Sequence, residues 1–227
     1  MNWHNYIKSF QSYLKIERGL SKNTVANYTF DLERLSKFMV ENEISISPEK
    51  INEETIQLFI YAVSKEVNAR SQARIISGLK SFFLYLIFED YRTDNPMELI
   101  EAPRLGRKLP DTLSIEDIDN LIAAIDLSTP EGERNRAILE TLYGCGLRVS
   151  EIITLKISDL FFDEGFIKIT GKGNKQRFVP IANSTQKYIE LYRNSIRNHL
   201  DINKGFEDTL FLNRRGKQLT RDRKSVV

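Results

Sequence analysis

The 227-residue chain is predicted to be mainly α-helical, with a small β-hairpin sheet in its second half. Two patterns predict this fold class. Apolar residues in the first hundred positions recur at steps of three and four, which is the period of an amphipathic helix. Residues 166–170 and 177–181 instead look like two strands joined by a glycine-containing turn. The length allows two small domains, which we predict to be a four-helix bundle and an α+β domain.

Four amphipathic helices make up the first predicted domain. Residues 2–16 and about 54–67 show loose helical periodicity, and Ser21 is placed to cap another helix. The apolar positions of that capped helix are Val25, Tyr28, Leu32, Leu35 and Met39. The window 70–89 has the clearest pattern, with an apolar stripe on one side and a polar stripe on the other. The apolar stripe consists of Ile75, Leu79, Phe82 and Leu86, and the polar stripe of Arg70, Arg74, Ser77 and Ser81.

A segment rich in proline, glycine and cations separates the two domains. Residues 104–110 lack apolar periodicity and are predicted to be a linker, which places the first domain at 1–103 and the second at 111–227. Ser114 then opens a new helix, with Asp117 three residues later as in a capping box.

The remaining elements alternate between helix and strand. A helix is expected from about Glu131 to Gly144 or Gly146, and a short one from about Arg148. After the two strands, we expect a helix at about 184–199 and a short strand at 209–212.

The composition excludes several protein classes. Hydrophobic residues make up 41% and charged residues 28%, which is ordinary for a globular protein and argues against disorder. No apolar run is long enough for a membrane span and no signal peptide is visible, so we expect a soluble, cytoplasmic protein. One cysteine and two histidines exclude a disulfide framework and leave little for a metal site.

The charge distribution is uneven. The net charge of +2 combines +1 over residues 1–110, −8 over residues 111–164 and +9 over residues 165–227. Such asymmetry is typical of a surface that faces phosphate groups, although a solvated face with compensating charge explains it equally well.

Arg148 is the first candidate functional residue. It follows the segment Gly-Cys-Gly-Leu at 144–147, where two glycines end one helix just before the next begins. An arginine at a helix start can bind a phosphate through its fork, beside unpaired backbone amides. The alternative is an arginine that only pairs with Glu151 on its own helix. Cys145, at a helix end, is expected to be buried and inert.

Lys172 is the second candidate. It lies between two glycines in Thr-Gly-Lys-Gly-Asn-Lys-Gln-Arg at 170–177, an unobstructed position that suits a proton donor or a phosphate contact. The alternative is a solubilising turn. The spacing does not match a phosphate-binding P-loop.

Taken together and in this order, these segments resemble the tyrosine recombinases, particularly the Xer-type enzymes. Three blocks carry the resemblance: residues 20–28 (Leu-Ser-Lys-Asn-Thr-Val-Ala-Asn-Tyr) with Asp31 and Leu32, residues 142–151, and residues 170–177. The resemblance implies an N-terminal four-helix SAM-like core-binding domain and a truncated α+β catalytic domain. It covers residues 1 to about 220.

The resemblance also implies a chemistry. A tyrosine attacks a DNA phosphodiester, a phosphotyrosyl link forms and a 5′ hydroxyl leaves. Arg148 would stabilise charge on the non-bridging oxygens, Lys172 would protonate the leaving oxygen, and Glu151 would brace the fold around Arg148. No cofactor or metal is implied. The implied partners are double-stranded DNA and a second Xer-like subunit, within a tetrameric synapse.

The DNA-binding positions are expected in both domains. They are Lys22, Arg70, Arg74, Ser77, Ser81, Asn174, Lys175, Arg177, Arg214 and Arg215. For Arg214 and Arg215, a cationic hairpin turn without a DNA contact is an equal alternative. Trp3, Phe82 and Phe83 are expected to pack in a core rather than to stack on bases.

The sequence departs from the family pattern near residue 220. The family continues with a His-x-x-Arg helix and a nucleophilic tyrosine, but the histidines here are His4 and His199, and residues 222–227 have no family character. We therefore expect this chain to be unable to cleave DNA. Three functions are considered: an incomplete site-specific recombinase that resolves chromosome or plasmid dimers, a DNA-binding fragment or decoy, and a helical protein-interaction fragment.

Overall fold

The computed structural model describes residues 3–106, 109 and 111–221. The chain divides into two compact units, Met1–Leu109 and Pro110–Val227, and each has a core of its own. Three residues of the predicted linker (Arg107, Lys108 and Pro110) and the terminal residues 222–227 lie outside the described residues.

Four helices build the first unit. They are α1 (Trp3–Ile16), α2 (Lys22–Glu41), α3 (Glu53–Ser64) and α4 (Ala69–Phe88). The predicted cap of α2 is present, because the Ser21 hydroxyl accepts a hydrogen bond from the Thr24 amide at 3.2 Å. Asn52 and Asn68 cap α3 and α4 in the same way. All four predicted helices are confirmed to within a few residues.

The apolar stripe of α4 lies in the core of this unit. Leu79 and Phe82 have no exposed surface, and the Phe82 ring lies 5.3 Å from the ring of Phe10 and 6.3 Å from that of Trp3. The predicted packing roles of Trp3, Phe82 and Phe83 are confirmed. The opposite stripe of α4 is thereby turned away from the core.

The second unit combines four helices with a small sheet. The helices are α5 (Ile115–Ala123), α6 (Pro130–Gly144), α7 (Val149–Ile153) and α8 (Asn183–Ser195). The Ser114–Asp117 capping box of α5 is confirmed. The helix predicted to reach residue 199 ends at Ser195, and the chain continues as a 3₁₀ turn over Arg197–His199.

The sheet is antiparallel and has the order β1-β2-β3. Its strands are β1 (Leu160–Phe161), β2 (Phe166–Thr170) and β3 (Gln176–Pro180). Ile167 and Ile169 are buried on one face, where they pack in the core of this unit. The hairpin predicted for β2 and β3 is confirmed, whereas β1 was not predicted because two residues carry no detectable periodicity.

The prediction of a strand at residues 209–212 is wrong. Thr209 and Leu212 form only isolated bridges, to Lys156 and Gln218. Side chains bind the backbone there instead, since Arg134 Nη1 donates to the Leu212 carbonyl at 3.2 Å and the Leu212 amide donates to Tyr192 Oη at 3.1 Å. The apolar run that suggested a strand reflects burial rather than a ladder of strand pairs.

Among residues 3–106, 109 and 111–221, no helix has both the length and the apolar character that crossing a bilayer requires.

Candidate active site

Arg148 stands at the start of α7 and faces solvent. Before it, α6 ends and Gly146 turns the chain with a φ of 58°, a conformation that glycine adopts without strain. The side chain of Leu147 is buried, which anchors the turn in the core. Arg148 occupies the N-cap position in extended conformation, and its side chain remains 77% exposed. A guanidinium group at this position can reach a ligand.

Glu151 is the buried centre of the site. Its side chain is only 3% exposed. Oε2 accepts a hydrogen bond from the Arg148 amide at 2.9 Å, and Oε1 accepts one from Arg148 Nη1 at 3.1 Å. The Arg148–Glu151 pair, which the sequence indicates as the alternative to a phosphate-binding role, is therefore present. It leaves most of the Arg148 side chain exposed.

Arg177 binds the same carboxylate from the hairpin. Its Nη1 and Nη2 donate to Glu151 Oε1 and Oε2 at 2.7 and 2.9 Å, a bidentate arrangement. In the β2–β3 register Arg177 is opposite Ile169, so its side chain leaves the sheet on the same face as Ile169, and it remains 41% exposed. From the sequence, Arg177 is expected only to contact DNA, and this pair, which joins residues 26 positions apart, is not predicted.

These contacts keep Glu151 ionised. The hydrogen bonds from Arg177 are the largest cause, and those from Arg148 add to them. Together they outweigh burial and lower the pKa of Glu151 from its ordinary value of 4.5 to about 2. The same carboxylate raises the pKa of Arg177. One negative charge thus holds two guanidinium groups at neutral pH.

The base of the Lys172 hairpin packs against this ion pair. A Cβ on Gly171 would lie 3.3 Å from Glu151 Oε1 and 3.4 Å from Arg177 Nη1, so the hairpin can approach closely at this residue. The Gly171 amide donates to the Lys175 carbonyl at 2.8 Å, and a 3₁₀ turn over Lys172–Asn174 lies between them. Lys172, Asn174 and Lys175 are exposed at the tip, as predicted for residues that contact a ligand.

The predicted contacts of the first unit differ in exposure. Lys22, Arg70 and Ser77 are exposed, whereas Arg74 and Ser81 are partly buried. Arg74 Nη1 donates to Asp31 Oδ2 at 2.5 Å, a pair between α4 and α2 that sequence reasoning did not find. Ser77 Oγ donates back to the Ala73 carbonyl at 3.0 Å.

Arg214 and Arg215 are exposed on a tight turn of the second unit. The Asn213 amide donates to the Lys217 carbonyl at 2.8 Å, and the Asn213 side chain accepts from the Arg215 amide, also at 2.8 Å. Gly216 completes the turn with a φ of 66°. The predicted cationic turn is confirmed as a structure, and its contact with DNA stays a prediction.

Two tyrosines follow the hairpin, and the hydroxyl groups of both are engaged. Tyr192 is fully buried, its hydroxyl accepts from the Leu212 amide, and burial raises its pKa. Tyr188 accepts from Arg136 Nη2 at 2.7 Å, with the guanidinium 4.2 Å from its ring centroid. Cys145 is buried as predicted, and burial raises the pKa of its thiol.

Comparison with known proteins decides the family. The profile described as the phage integrase family matches residues 111–225, and the profile described as the phage integrase N-terminal SAM-like domain matches residues 7–90. The tyrosine recombinases XerD of Staphylococcus haemolyticus and Oceanobacillus iheyensis are 38% and 39% identical to this chain over 216 residues. Each match covers 95% of this chain and 72% of the relative.

The chain belongs to the phage integrase family of tyrosine recombinases.

Solved structures share the fold of this recombinase. A XerH site-specific recombinase in a post-cleavage complex with palindromic difH substrate gives a TM-score of 0.70 at 21% identity, covering 94% of this chain and 63% of that one. A lambda integrase dimer bound to a COC′ core site gives 0.71 at 18% identity, covering 97% and 76%. The predicted fold class is confirmed. The recombinase is an enzyme of the site-specific recombinase type, and its function is site-specific DNA recombination.

Proposed function

We propose that Arg148 and Lys172 act on the scissile phosphodiester of a duplex DNA site. The observation that carries the proposal is the shared Glu151 carboxylate. It binds Arg148 directly and, through Arg177 of β3, holds the base of the hairpin that carries Lys172. Two side chains from separate elements are thus tied to one buried charge.

Each side chain has a chemical role in this proposal. A tyrosine oxygen bonds to phosphorus as the hydroxyl gives up its proton to solvent, the bond from phosphorus to the 5′ oxygen breaks, and that 5′ oxygen takes up a proton. Arg148 donates hydrogen bonds to the non-bridging oxygens, where negative charge grows. Lys172 supplies the proton to the 5′ oxygen. Glu151 and Arg177 are positioning residues, and we assign Arg177 this role in place of a primary DNA contact.

Lysine and arginine side chains of both units supply the sequence-independent affinity for DNA. In the first unit we propose Lys22, Arg70, Arg74, Ser77 and Ser81, which are exposed or partly exposed on α2 and α4. In the second unit we propose Asn174, Lys175, Arg214 and Arg215, on two exposed turns. Most of these side chains are cations or small donors, which suit phosphate oxygens.

The proposal extends to partners and setting. The structures that share this fold include a lambda integrase dimer on a core site and a lambda integrase tetramer on a Holliday junction. In line with these, we propose that the recombinase acts in the cytoplasm with a second Xer-like subunit in a tetrameric synapse. Resolution of chromosome or plasmid dimers is the proposed outcome.

A second candidate function is occupancy of a recombination site without strand cleavage. The hydroxyl groups of Tyr188 and Tyr192 favour it for the 227-residue polypeptide, because each is held in a hydrogen bond inside the second unit. The two candidates share DNA binding and differ in covalent chemistry. A nicked substrate that traps a phosphotyrosyl adduct distinguishes them.

The salt dependence of DNA binding tests the property that both candidate functions share. The affinity of the polypeptide for a duplex recombination-type site is measured at several salt concentrations. We expect a steep log–log slope, and Arg215→Ala should reduce it by about 0.9, the value for one lost phosphate contact. Lys187→Ala, which removes an exposed cation of α8, is the matched control and should leave the slope unchanged. A flat response of the unmodified chain would overturn the proposal.

The role of Lys172 is tested in a chain that also carries the family's His-x-x-Arg helix and tyrosine. Lys172→Ala should lose strand cleavage and retain DNA binding. A substrate with an activated 5′ leaving group should restore cleavage, because such a group departs without a proton. Failure of this rescue would show that Lys172 only positions the DNA.

A further inference from the structure

Asp31 is a buried carboxylate of the first unit. It lies on α2 with no exposed surface, beside the buried side chain of Leu32. Taking a carboxylate out of water is costly unless a partner compensates it. Burial accordingly raises the pKa of Asp31, while Arg74 and then Arg34 oppose the rise. The cost of burying this carboxylate suggests that it has a role that compensates for the cost.

Arg74 is the hydrogen-bonding partner of Asp31. Its Nη1 donates to Asp31 Oδ2 at 2.5 Å, whereas Asp31 Oδ1 is buried and accepts no hydrogen bond among the described residues. The close approach of α2 and α4 favours this contact. A Cβ on Gly78 would lie 3.2 Å from Asp31 Oδ2 and 3.2 Å from Tyr28 Cδ1. The carboxylate is therefore enclosed on one side and meets Arg74 on another.

Arg74 itself is not buried. Its side chain is 38% exposed, and it lies on the polar stripe of α4 between Arg70 and Ser77, both of which are exposed. An arginine has five N–H donors in a planar fork. In this structure one guanidinium nitrogen is bound to Asp31, so the fork retains donors that reach solvent. The fork can bridge a buried carboxylate and a second acceptor outside.

A second arginine pair of this unit provides a contrast. Arg34 of α2 pairs with Glu66, whose side chain is 65% exposed. A carboxylate in water does not fix its partner strongly, and such surface pairs contribute little. Asp31 differs because it is enclosed and its rotamer freedom is lost.

We propose that Asp31 is a positioning residue, which holds the Arg74 fork in the orientation that contacts a DNA phosphate. The inference rests on the proposed DNA-binding function of the α4 stripe. Without Asp31 the arginine would have to be immobilised by the DNA alone, and ordering a long side chain weakens binding several-fold.

The sign of the effect separates positioning from simple electrostatics. Asp31→Asn removes a negative charge, which by itself strengthens attraction to phosphates. Positioning predicts the opposite. We expect Asp31→Asn to bind duplex DNA about fivefold more weakly than the unmodified chain. Glu66→Gln, which removes a carboxylate from the exposed pair, is the matched control and should bind as tightly as the unmodified chain or more tightly.

The experiment measures the dissociation constant of the 227-residue polypeptide on one duplex at several salt concentrations. Arg74→Gln should weaken binding and reduce the salt slope by about 0.9. Asp31→Asn should cause no further loss when it is added to Arg74→Gln, because its effect acts through Arg74. Fluorescence of Trp3, which packs in the core of the same unit, shows whether each variant is folded at the assay temperature.

Each outcome supports or contradicts a different statement. If Arg74→Gln weakens binding but Asp31→Asn does not, the positioning role is wrong and the proposed DNA surface stands. If Arg70→Gln and Arg74→Gln both leave affinity and slope unchanged, the DNA-binding role of this stripe is wrong. Should Asp31→Asn not fold, Arg74→Lys decides, since it keeps the charge but lacks the fork. Unchanged affinity of Arg74→Lys overturns the inference.

Discussion

Replacement of Glu151 by glutamine removes the charge that holds Arg148 and Arg177. In the folded chain the pKa of Glu151 is about 2, compared with an ordinary value of 4.5. One pKa unit corresponds to about 1.4 kcal/mol, so this shift represents about 3 kcal/mol of folding free energy at pH 7. Solvent reaches both guanidinium groups and screens the pair. We therefore expect Glu151→Gln to lower the free energy of unfolding of the second unit by about 2 kcal/mol.

The pH dependence of this loss follows from the direction of the pKa shift. A carboxylate with a lowered pKa stabilises the fold fully above the unfolded value of 4.5, and the stabilisation is lost as the pH falls toward 2. The unmodified chain and Glu151→Gln should therefore differ most at pH 5–7. They should converge as the pH approaches 2.

Hydrogen exchange with mass spectrometry measures the loss of stability in the β2–β3 hairpin, which Arg177 joins to Glu151. The peptide covering residues 166–180 reports the opening of the β2–β3 hairpin, followed at pH 7 and at lower pH. Trp3 fluorescence reports the first unit and should be unaffected by the substitution. Glu140→Gln is the control variant, because Glu140 pairs with Arg136 through an i,i+4 contact of 3.8 Å and its loss should change little. Equal protection of the hairpin in all three proteins at pH 7 would refute the role assigned to Glu151.

Three further predictions concern other parts of the second unit. Gly216→Ala should destabilise this unit by about 3 kcal/mol or more, because the new Cβ would lie 1.9 Å from a backbone carbonyl oxygen. Gly205 also has a positive φ but lies in open space, so Gly205→Ala should cost only about 1–2 kcal/mol. Thermal or urea unfolding measures both free energies. The 227-residue polypeptide incubated with a nicked suicide substrate should give no covalent adduct on a denaturing gel, and an adduct abolished by mutation of Tyr188 or Tyr192 would contradict this. Cys145 should react with a thiol reagent only slowly until the unit unfolds, because the thiol is buried and its pKa is raised; rapid labelling of the folded protein would refute it.

Local patterns in the sequence predicted most of the fold. Periodicity located the four helices of the first unit, and cap residues such as Ser21 and Ser114 marked where helices begin. The turn at Gly171–Asn174 identified the hairpin because glycine and asparagine are needed where the chain reverses. These features depend on neighbours within a few residues, which a sequence displays directly.

Contacts between distant residues could not be predicted in the same way. Arg177 meets Glu151 across 26 positions, and Arg74 meets Asp31 across 43. Nothing in the sequence marks Arg177 and Glu151, or Arg74 and Asp31, as partners. Only the alternation of β3 offered a signal for Arg177, since its position opposite Ile169 is on the same face of the hairpin as Ile169. The strand predicted at 209–212 failed for a related reason, because burial and strand pairing leave the same apolar run.

The concentration of the Glu151 contacts within residues 148–177 has an evolutionary consequence. One carboxylate satisfies two arginines, so a substitution at Glu151 alone leaves both without their shared acceptor, and loss of Arg177 leaves a buried charge undercompensated. A neutral substitution of Glu151 or Arg177 therefore requires a compensating substitution of its partner. Because the ends of the segment are only about thirty residues apart, the entropy lost in closing it is modest, about 3 kcal/mol. The segment therefore carries the charges that balance Glu151 within its own short stretch of sequence.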